Sequence, residues 1–154
     1  MNFEKDLMMN NSELFDESTF YDKFIIDIEN AKHKVIIESA FLTVRRTSAL
    51  LPSIDSAISR NVGIIINTRF PTSRDKNMYQ QALDSIALLQ DAGCKVLLTV
   101  NHHRKLIIID KMIVWEGSMN VLSQSDSCEL MRRTESEVEA RRILEFTKLN
   151  QWYS

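Results

Sequence analysis

The chain has 154 residues with 44% hydrophobic, 8% aromatic and 26% charged side chains and only 3 glycines and 2 prolines, a balance that excludes collagen-like, low-complexity and disulfide-scaffold proteins and suits one domain around one core. The formal net charge of −2 does not announce a polyanion binder, but it is unevenly spread: −6 over residues 1–30, +5 over 31–134 and −1 over 135–154. The basic excess in the middle fits a site for an anionic partner, and it fits an ordinary solvated surface as well.

In chain order, residues 1–17 show no clear period and are expected to be a tail or the remnant of a linker, with the domain running from 18 to 154. The first residues lack the basic-then-apolar pattern of a secretory signal. Ser18 can cap an amphipathic helix over 19–32, where Phe20, Phe24, Ile28 and Ala31 recur every three to four residues. Lys34 to Ser39 reads as a strand. After a polar stretch, Pro52 suits the first turn of a helix that carries Ile54, Ala57 and Ile58 to about Arg60. Gly63 to Arg69 is a second strand, apolar without alternation as in a strand covered on both faces. Asn77 to Ala92 places Tyr79, Ala82, Leu83, Ile86 and Leu89 on one stripe and stops at Gly93, before a third strand from Lys95 to Val100. This β-α-β-α-β order with right-handed crossovers predicts parallel pairing.

Beyond Val100 the apolar runs His103–Ile109 and Met112–Trp115 are separated only by Asp110-Lys111, as in a hairpin. Ser127 to Arg133 reads as another strand and Glu137 to Trp152 as a closing helix. The fold class is therefore α/β, a mixed and mostly parallel sheet flanked by helices. The longest apolar run, Leu106 to Ile109, is far below the ~20 residues that span a bilayer, so no membrane insertion is expected. Cys94 and Cys128 are too few for a stapled secreted framework and read as buried thiols in a reducing cytoplasm.

Open α/β sheets bind ligands at the carboxyl ends of their parallel strands. Arg45 and Arg46 follow the first strand, Arg69 ends the second, and Arg74 and Lys76 lie in the loop after it. Scattered surface cations would give the same list, but five after strand ends point to a phosphate or polyanion site. Residues two apart in a strand share a face, so His103 and Lys105 are expected side by side. A turn at Asp110-Lys111 would set Ser118 opposite His103 and Glu116 opposite Lys105, with Gly117 allowing close backbone approach and Ser118 and Asn120 supplying hydrogen-bond donors. An imidazole, an ammonium, a hydroxyl and an amide gathered in this way can attack, hold and neutralise a phosphate group. His102 alternates to the other face and reads as structural or solvated. Metal catalysis is disfavoured, because no histidine pair at i, i+4 and no Cys-x-x-Cys occurs.

His103-x-Lys105-x-x-x-x-Asp110 followed by Gly117-Ser118-x-Asn120 resembles the HKD signature of the phospholipase D superfamily with its trailing G-S-x-N. The wider run from His103 to Ser136 looks like the version in bacterial phospholipase D-like nuclease modules, some of them attached to helicases or other DNA-processing enzymes. The resemblance implies that His103 is the nucleophile, forming a phosphohistidine, that Lys105 and Asn120 hold the non-bridging oxygens, and that Ser118 supports the site. It further implies that Glu129 orients the imidazole and that Asp110 is more structural than chemical. Such chemistry needs no metal or cofactor, but it needs two histidines at one phosphate. A chain with one motif is therefore expected to pair as a homodimer with a shared site. Nucleic acid is the expected substrate. A phospholipase or phosphatidyl transferase, and a non-catalytic nucleic-acid-binding module, are the alternatives.

Overall fold

In the computed structural model, residues 11–72 and 74–153 are described. Seven strands form one sheet: β1 (Ser12–Phe15), β2 (Lys34–Glu38), β3 (Gly63–Arg69), β4 (Lys95–Thr99), β5 (Leu106–Ile109), β6 (Ile113–Gly117) and β7 (Met131–Glu135). Four helices cover it, α1 (Phe20–Asn30), α2 (Val44–Ser59), α3 (Lys76–Ala92) and α4 (Glu137–Thr147), and a 3-10 turn follows at Leu149–Tyr153. The strand order is β1-β7-β6-β5-β2-β3-β4. The mixed α/β class holds, with a different balance from the one expected. Parallel pairing is confined to β2, β3 and β4, and every other neighbour is antiparallel, because β5 to β7 run as a meander, with a tight turn between β5 and β6 and a longer loop between β6 and β7.

Side-chain alternation divides the core between the two faces of the sheet. Val35, Ile37, Ile66, Ile107 and Trp115 pack with Phe20, Phe24, Leu50, Ile54 and Leu89 from α1 to α3, while Ile36, Ile65, Ile108 and Val114 meet Ala140 and Leu144 of α4. Within the first layer the buried Asp27 of α1 accepts two hydrogen bonds from Arg133 and one from the Trp115 indole, each at 2.8 Å. Removing Arg133 would strand the Asp27 carboxylate in the core, whereas Arg133 also has Glu135 at 2.7 Å.

Several elements differ from the sequence reading, each for a local reason. Ser12–Phe15 is not tail but an edge strand paired to β7, so the domain begins before residue 18; four residues are too few to show a period. The tail expected over residues 1–10 lies outside the described residues. Thr19, not Ser18, occupies the N-cap of α1, and the Asp16 carboxylate caps the turn by accepting from the amides of Ser18 and Thr19. Helix α2 starts eight residues before Pro52: Thr43 caps it by accepting from the Arg46 amide, and Thr47, Leu50, Ile54 and Ala57 form its buried stripe. Pro52 is tolerated inside the helix because it and Ser48, whose carbonyl loses its donor, lie on the exposed face. Strand β7 begins at Met131 rather than at Ser127, and Cys128 is exposed. Cys94 is buried as expected, and burial pushes its thiol up to about 12, which keeps it unreactive.

The β5–β6 turn is one residue longer than a two-residue hairpin. Asp110 and Lys111 both take φ of 55° and Met112 donates to the Ile109 carbonyl at 3.0 Å. The next pair is Ile109 with Ile113, so Glu116 faces Leu106 and not Lys105. Asp110 does more than turn the chain. Its carboxylate accepts from the backbone amides of Lys32, His33 and Lys34 at 2.8, 2.8 and 2.9 Å, fixing the loop that feeds β2. At the other end of the hairpin, Gly117 lies so close to β7 that a Cβ there would sit 2.1 Å from the Leu130 carbonyl oxygen and 2.9 Å from the Met131 Cα. Two stability changes follow. Asp110→Ala should lower the unfolding free energy by about 2 kcal/mol, since two of the three amides can turn to water. Gly117→Ala should cost about 3 kcal/mol by forcing two strands apart. Urea denaturation of both variants checks these values, and a midpoint unchanged from wild type for either would contradict its assigned role.

Candidate active site

One edge of the sheet gathers the carboxyl ends of β1 to β4 and β6 and the amino ends of β5 and β7, as the pairing directions require. The motif residues lie along that edge, except Asp110, which lies at the opposite one. His103 and Lys105 are not part of β5 but of the irregular segment that enters it. They nevertheless meet: Lys105 Nζ donates to the His103 carbonyl at 2.9 Å and lies 3.3 Å from His103 Nδ1. An ammonium can only donate, so Nδ1 accepts and the neutral ring carries its proton on Nε2. The His103 ring is exposed.

What fixes this segment is a buried network that the sequence reading did not single out. Glu38, fully buried at the end of β2, accepts from Arg104 Nε and Nη2 at 2.8 and 2.7 Å and from Asn67 Nδ2 at 2.8 Å. Asn67 Oδ1 in turn accepts from the Thr99 hydroxyl at 2.7 Å. The bond to Glu38 holds the Arg104 guanidinium above its already high ordinary pKa. His102 is buried rather than solvated, its Nε2 lying 3.7 Å from Glu38 with no hydrogen-bond partner among the described residues. Burial pulls its pKa below the usual imidazole value, against the opposing pull of Glu38, so the ring is neutral at physiological pH. The available signal was the alternation in His102-His103-Arg104-Lys105. If His103 and Lys105 face outward, His102 and Arg104 turn toward the sheet, and Arg104, half-exposed, reaches the buried Glu38.

Ser118, Asn120 and Glu129 come together beside a pocket of about 220 Å³ lined also by Glu17, Tyr21 and Arg46. Ser118 donates its amide to the Leu130 carbonyl at 2.9 Å, its hydroxyl accepts from the Leu130 amide at 3.0 Å, and the same hydroxyl donates to the Glu129 carboxylate. This exchange is what Gly117 makes room for. Asn120 Oδ1 accepts from the Ala40 amide at 3.0 Å, which assigns the side-chain orientation and leaves its NH2 group for the pocket. The Glu129 amide donates to Glu17 at 2.9 Å. Tyr21 donates to the Val121 carbonyl at 2.8 Å, and burial pushes its hydroxyl up to about 12. The expected bond between Glu129 and His103 is not made among the described residues. Glu129 turns to Ser118, while His103 and Lys105 line a separate hollow with Glu116, Gly117, Ile143 and Thr147.

The five basic residues separate. Arg45 and Arg46 lie in the first turn of α2 and not in a loop, since that helix starts early. Arg46 alone enters the pocket, stacked 3.8 Å over the Tyr21 ring and donating to Gln124 at 2.8 Å. Arg69 and Arg74 border a second cleft on the same edge. Arg45 and Lys76, the latter the first residue of α3, are exposed and line neither.

Residues 24–149 match the family model described as "Cardiolipin synthase, PLD-like domain". No curated protein matches significantly. Among solved structures, the phospholipase D family member Nuc from Salmonella typhimurium superposes with a TM-score of 0.73 at 16% identity, covering 92% of this chain and 94% of that one. NucT from Helicobacter pylori gives 0.70 at 20% identity over 92% and 96%. Polyphosphate kinase from Porphyromonas gingivalis gives 0.70 at 9% identity, covering 92% of this chain but 26% of the kinase. These likenesses are to the fold, while the family model spans β2 to β7, most of α1, the other three helices and the whole motif region, and on that match the chain belongs to the phospholipase D superfamily as a PLD-like domain.

Proposed function

We propose that the protein is a metal-independent phosphodiesterase that cleaves nucleic acid through a phosphohistidine at a site completed by a second copy of the chain. The observation that carries this reading is the contact of an exposed imidazole with an ammonium, His103 and Lys105, at the sheet edge where Asn120 keeps a free amide. The substrate phosphate draws Lys105 Nζ away from the imidazole and onto a non-bridging oxygen. With the ammonium gone the Nδ1 lone pair is free to take the ring proton, which passes to it from Nε2 through solvent, and Nε2 attacks phosphorus as the bond to the leaving oxygen breaks. Lys105 and the Asn120 NH2 neutralise the charge that develops on the equatorial oxygens. Ser118 and Glu129 keep the asparagine loop against β7, and Arg46 adds a fixed positive charge. Water later attacks the phosphohistidine and restores the free ring.

The departing oxygen needs a proton, and neither of the chain's other histidines lies where it could give one. Of the three histidines, His102 is buried against Glu38 and His33 precedes β2 at the opposite edge of the sheet. The partner subunit's His103 fills the role if a two-fold axis passes beside the hollow. The outer side of α4 supports a partner there: Phe146 is 89% and Val138 68% exposed, and Phe146 shares with Ile143, Glu139, Arg142 and Glu145 a surface that Ile143 joins to the hollow. The basic edge favours nucleic acid over a zwitterionic headgroup, because contacts to a run of phosphates supply most of the affinity when a protein binds a nucleic-acid strand.

His103→Ala should reduce cleavage of an oligonucleotide in EDTA by at least about a thousandfold while leaving the fold intact, as expected for a lost nucleophile. Retention of more than about a tenth of the wild-type rate would place the nucleophile elsewhere. Release of headgroup from phosphatidylcholine vesicles without oligonucleotide cleavage would move the substrate to lipid, and binding without turnover would make the protein a binding module. For the shared site, His103→Ala chains exchanged into wild-type dimers should depress activity below the wild-type fraction. Activity linear in that fraction after verified exchange, or full activity in a sedimenting monomer, would overturn it.

A further inference from the structure

The second cleft on the site edge has the composition of a base-stacking subsite. It measures about 390 Å³ and lies between the loop after β2 and the start of α3, a size typical of small-ligand pockets. Its walls are the apolar faces of Phe41, Phe70, Met78 and Tyr79, with Arg69 and Arg74 bordering it. Phe70 is 52% exposed, and no other ring among the described residues stacks on Phe41, Phe70 or Tyr79. Tyr79 and Met78 come from the first turn of α3, which Asp75 caps by accepting from the amides of Asn77 and Met78, so that wall is fixed. An exposed aromatic ring between two arginines, neither of which has an ion-pair partner among the described residues, combines a flat apolar surface with charge for a backbone phosphate.

The cleft also lies next to the site. Ala40 lines it, and the same residue donates its amide to Asn120, so one residue's width separates the cleft from the amide assigned to the scissile phosphate. The Thr68 hydroxyl, at the end of β3, holds the Ala40 carbonyl at 3.4 Å. We infer that the cleft receives an unpaired nucleobase of the strand being cut, stacked on Phe70, with Arg69 or Arg74 on the adjoining phosphate. A paired base within a duplex is stacked on both sides and cannot enter. The inference rests on the nucleic-acid reading above and deepens it, making single strands, or ends and loops of duplexes, the preferred substrate.

The test uses the whole chain carrying Phe70→Ala or Phe70→Trp, beside wild type. Binding of a fluorescent single-stranded DNA 12-mer and of the corresponding duplex is read by anisotropy on the His103→Ala background, and hydrolysis is read separately with His103 present, on the 12-mer and on an oligomer of abasic deoxyribose phosphates, a diester without bases or aromatic rings. Wild type should bind the single strand more tightly than the duplex. Phe70→Ala should weaken single-strand binding roughly tenfold to a hundredfold, leave hydrolysis of the base-free diester unchanged, and lose its effect when an abasic sugar replaces the nucleotide beside the cleaved bond. Phe70→Trp should restore binding, with quenching of the new indole by the stacked base. Equal binding by wild type and Phe70→Ala, or an equal loss on the base-free diester, overturns the subsite even if oligonucleotides are cut. Phe70-dependent binding without any cleavage would instead uphold the subsite and overturn the nuclease reading, and neither binding nor cleavage would overturn both.

Discussion

The site depends on a carboxylate that no solvent reaches. Glu38 ends a strand of otherwise apolar residues, and an unpaired carboxylate at that depth would be severely destabilising. The fold meets the requirement with a bidentate guanidinium from Arg104 and an amide from Asn67, and the consequence is geometric. Arg104 is anchored between His103 and Lys105, so the irregular segment holding the imidazole and the ammonium cannot drift although neither side chain is itself buried in the core. A single ion pair thus converts a loop into a support of strand-like rigidity, and His102, neutral beside it, fills space without adding a second charge.

Two further constraints act at longer range in the same sense. The Asp110 carboxylate gathers three consecutive amides before β2 and sets that strand's height against β5, which decides where Glu38 meets Arg104. Gly117 lets β6 approach β7 closely enough for Ser118 and Leu130 to exchange hydrogen bonds, which sets the position of the Asn120 loop. The motif is therefore mixed in kind. Part of it faces the edge where chemistry is expected, and part of it is the framework that holds the two halves of that edge in register.

Much of this was legible in the sequence. The β-α-β-α-β half could be read because Gly63–Arg69 and the stripe ending at Gly93 have strong periods and a clear stop, and because parallel strands direct their ends to one side. The motif spacing brought His103 and Lys105 together. The hairpin register was not legible, since Met112 looks like the first residue of a strand and its place in the turn depends on its carbonyl being taken by Ser136. The early start of α2 was hidden by Pro52, a residue that usually opens a helix but sits here on the solvent side of one. The partner of Glu129 could not be read either, because it is set by three-dimensional competition between a serine fixed by β7 and a histidine on a solvent-exposed segment. Glu38 looked like the polar end of an apolar strand, and only the fold shows how deeply it lies.

The pairing of β1 with β7 has a consequence for the order in which the molecule assembles. Ser12 lies opposite Thr134, and the Glu17 carboxylate holds the amide of Glu129, 112 positions further on. Loop closure across such a separation carries an entropy cost that local helix and hairpin formation does not. During vectorial synthesis β1 has no neighbour to join until β7 has left the ribosome, after His103 and Lys105 have emerged. The wall of the pocket formed by Glu17 and Tyr21 is therefore closed late, and a growing chain presents Asn120 before the pocket around it is complete.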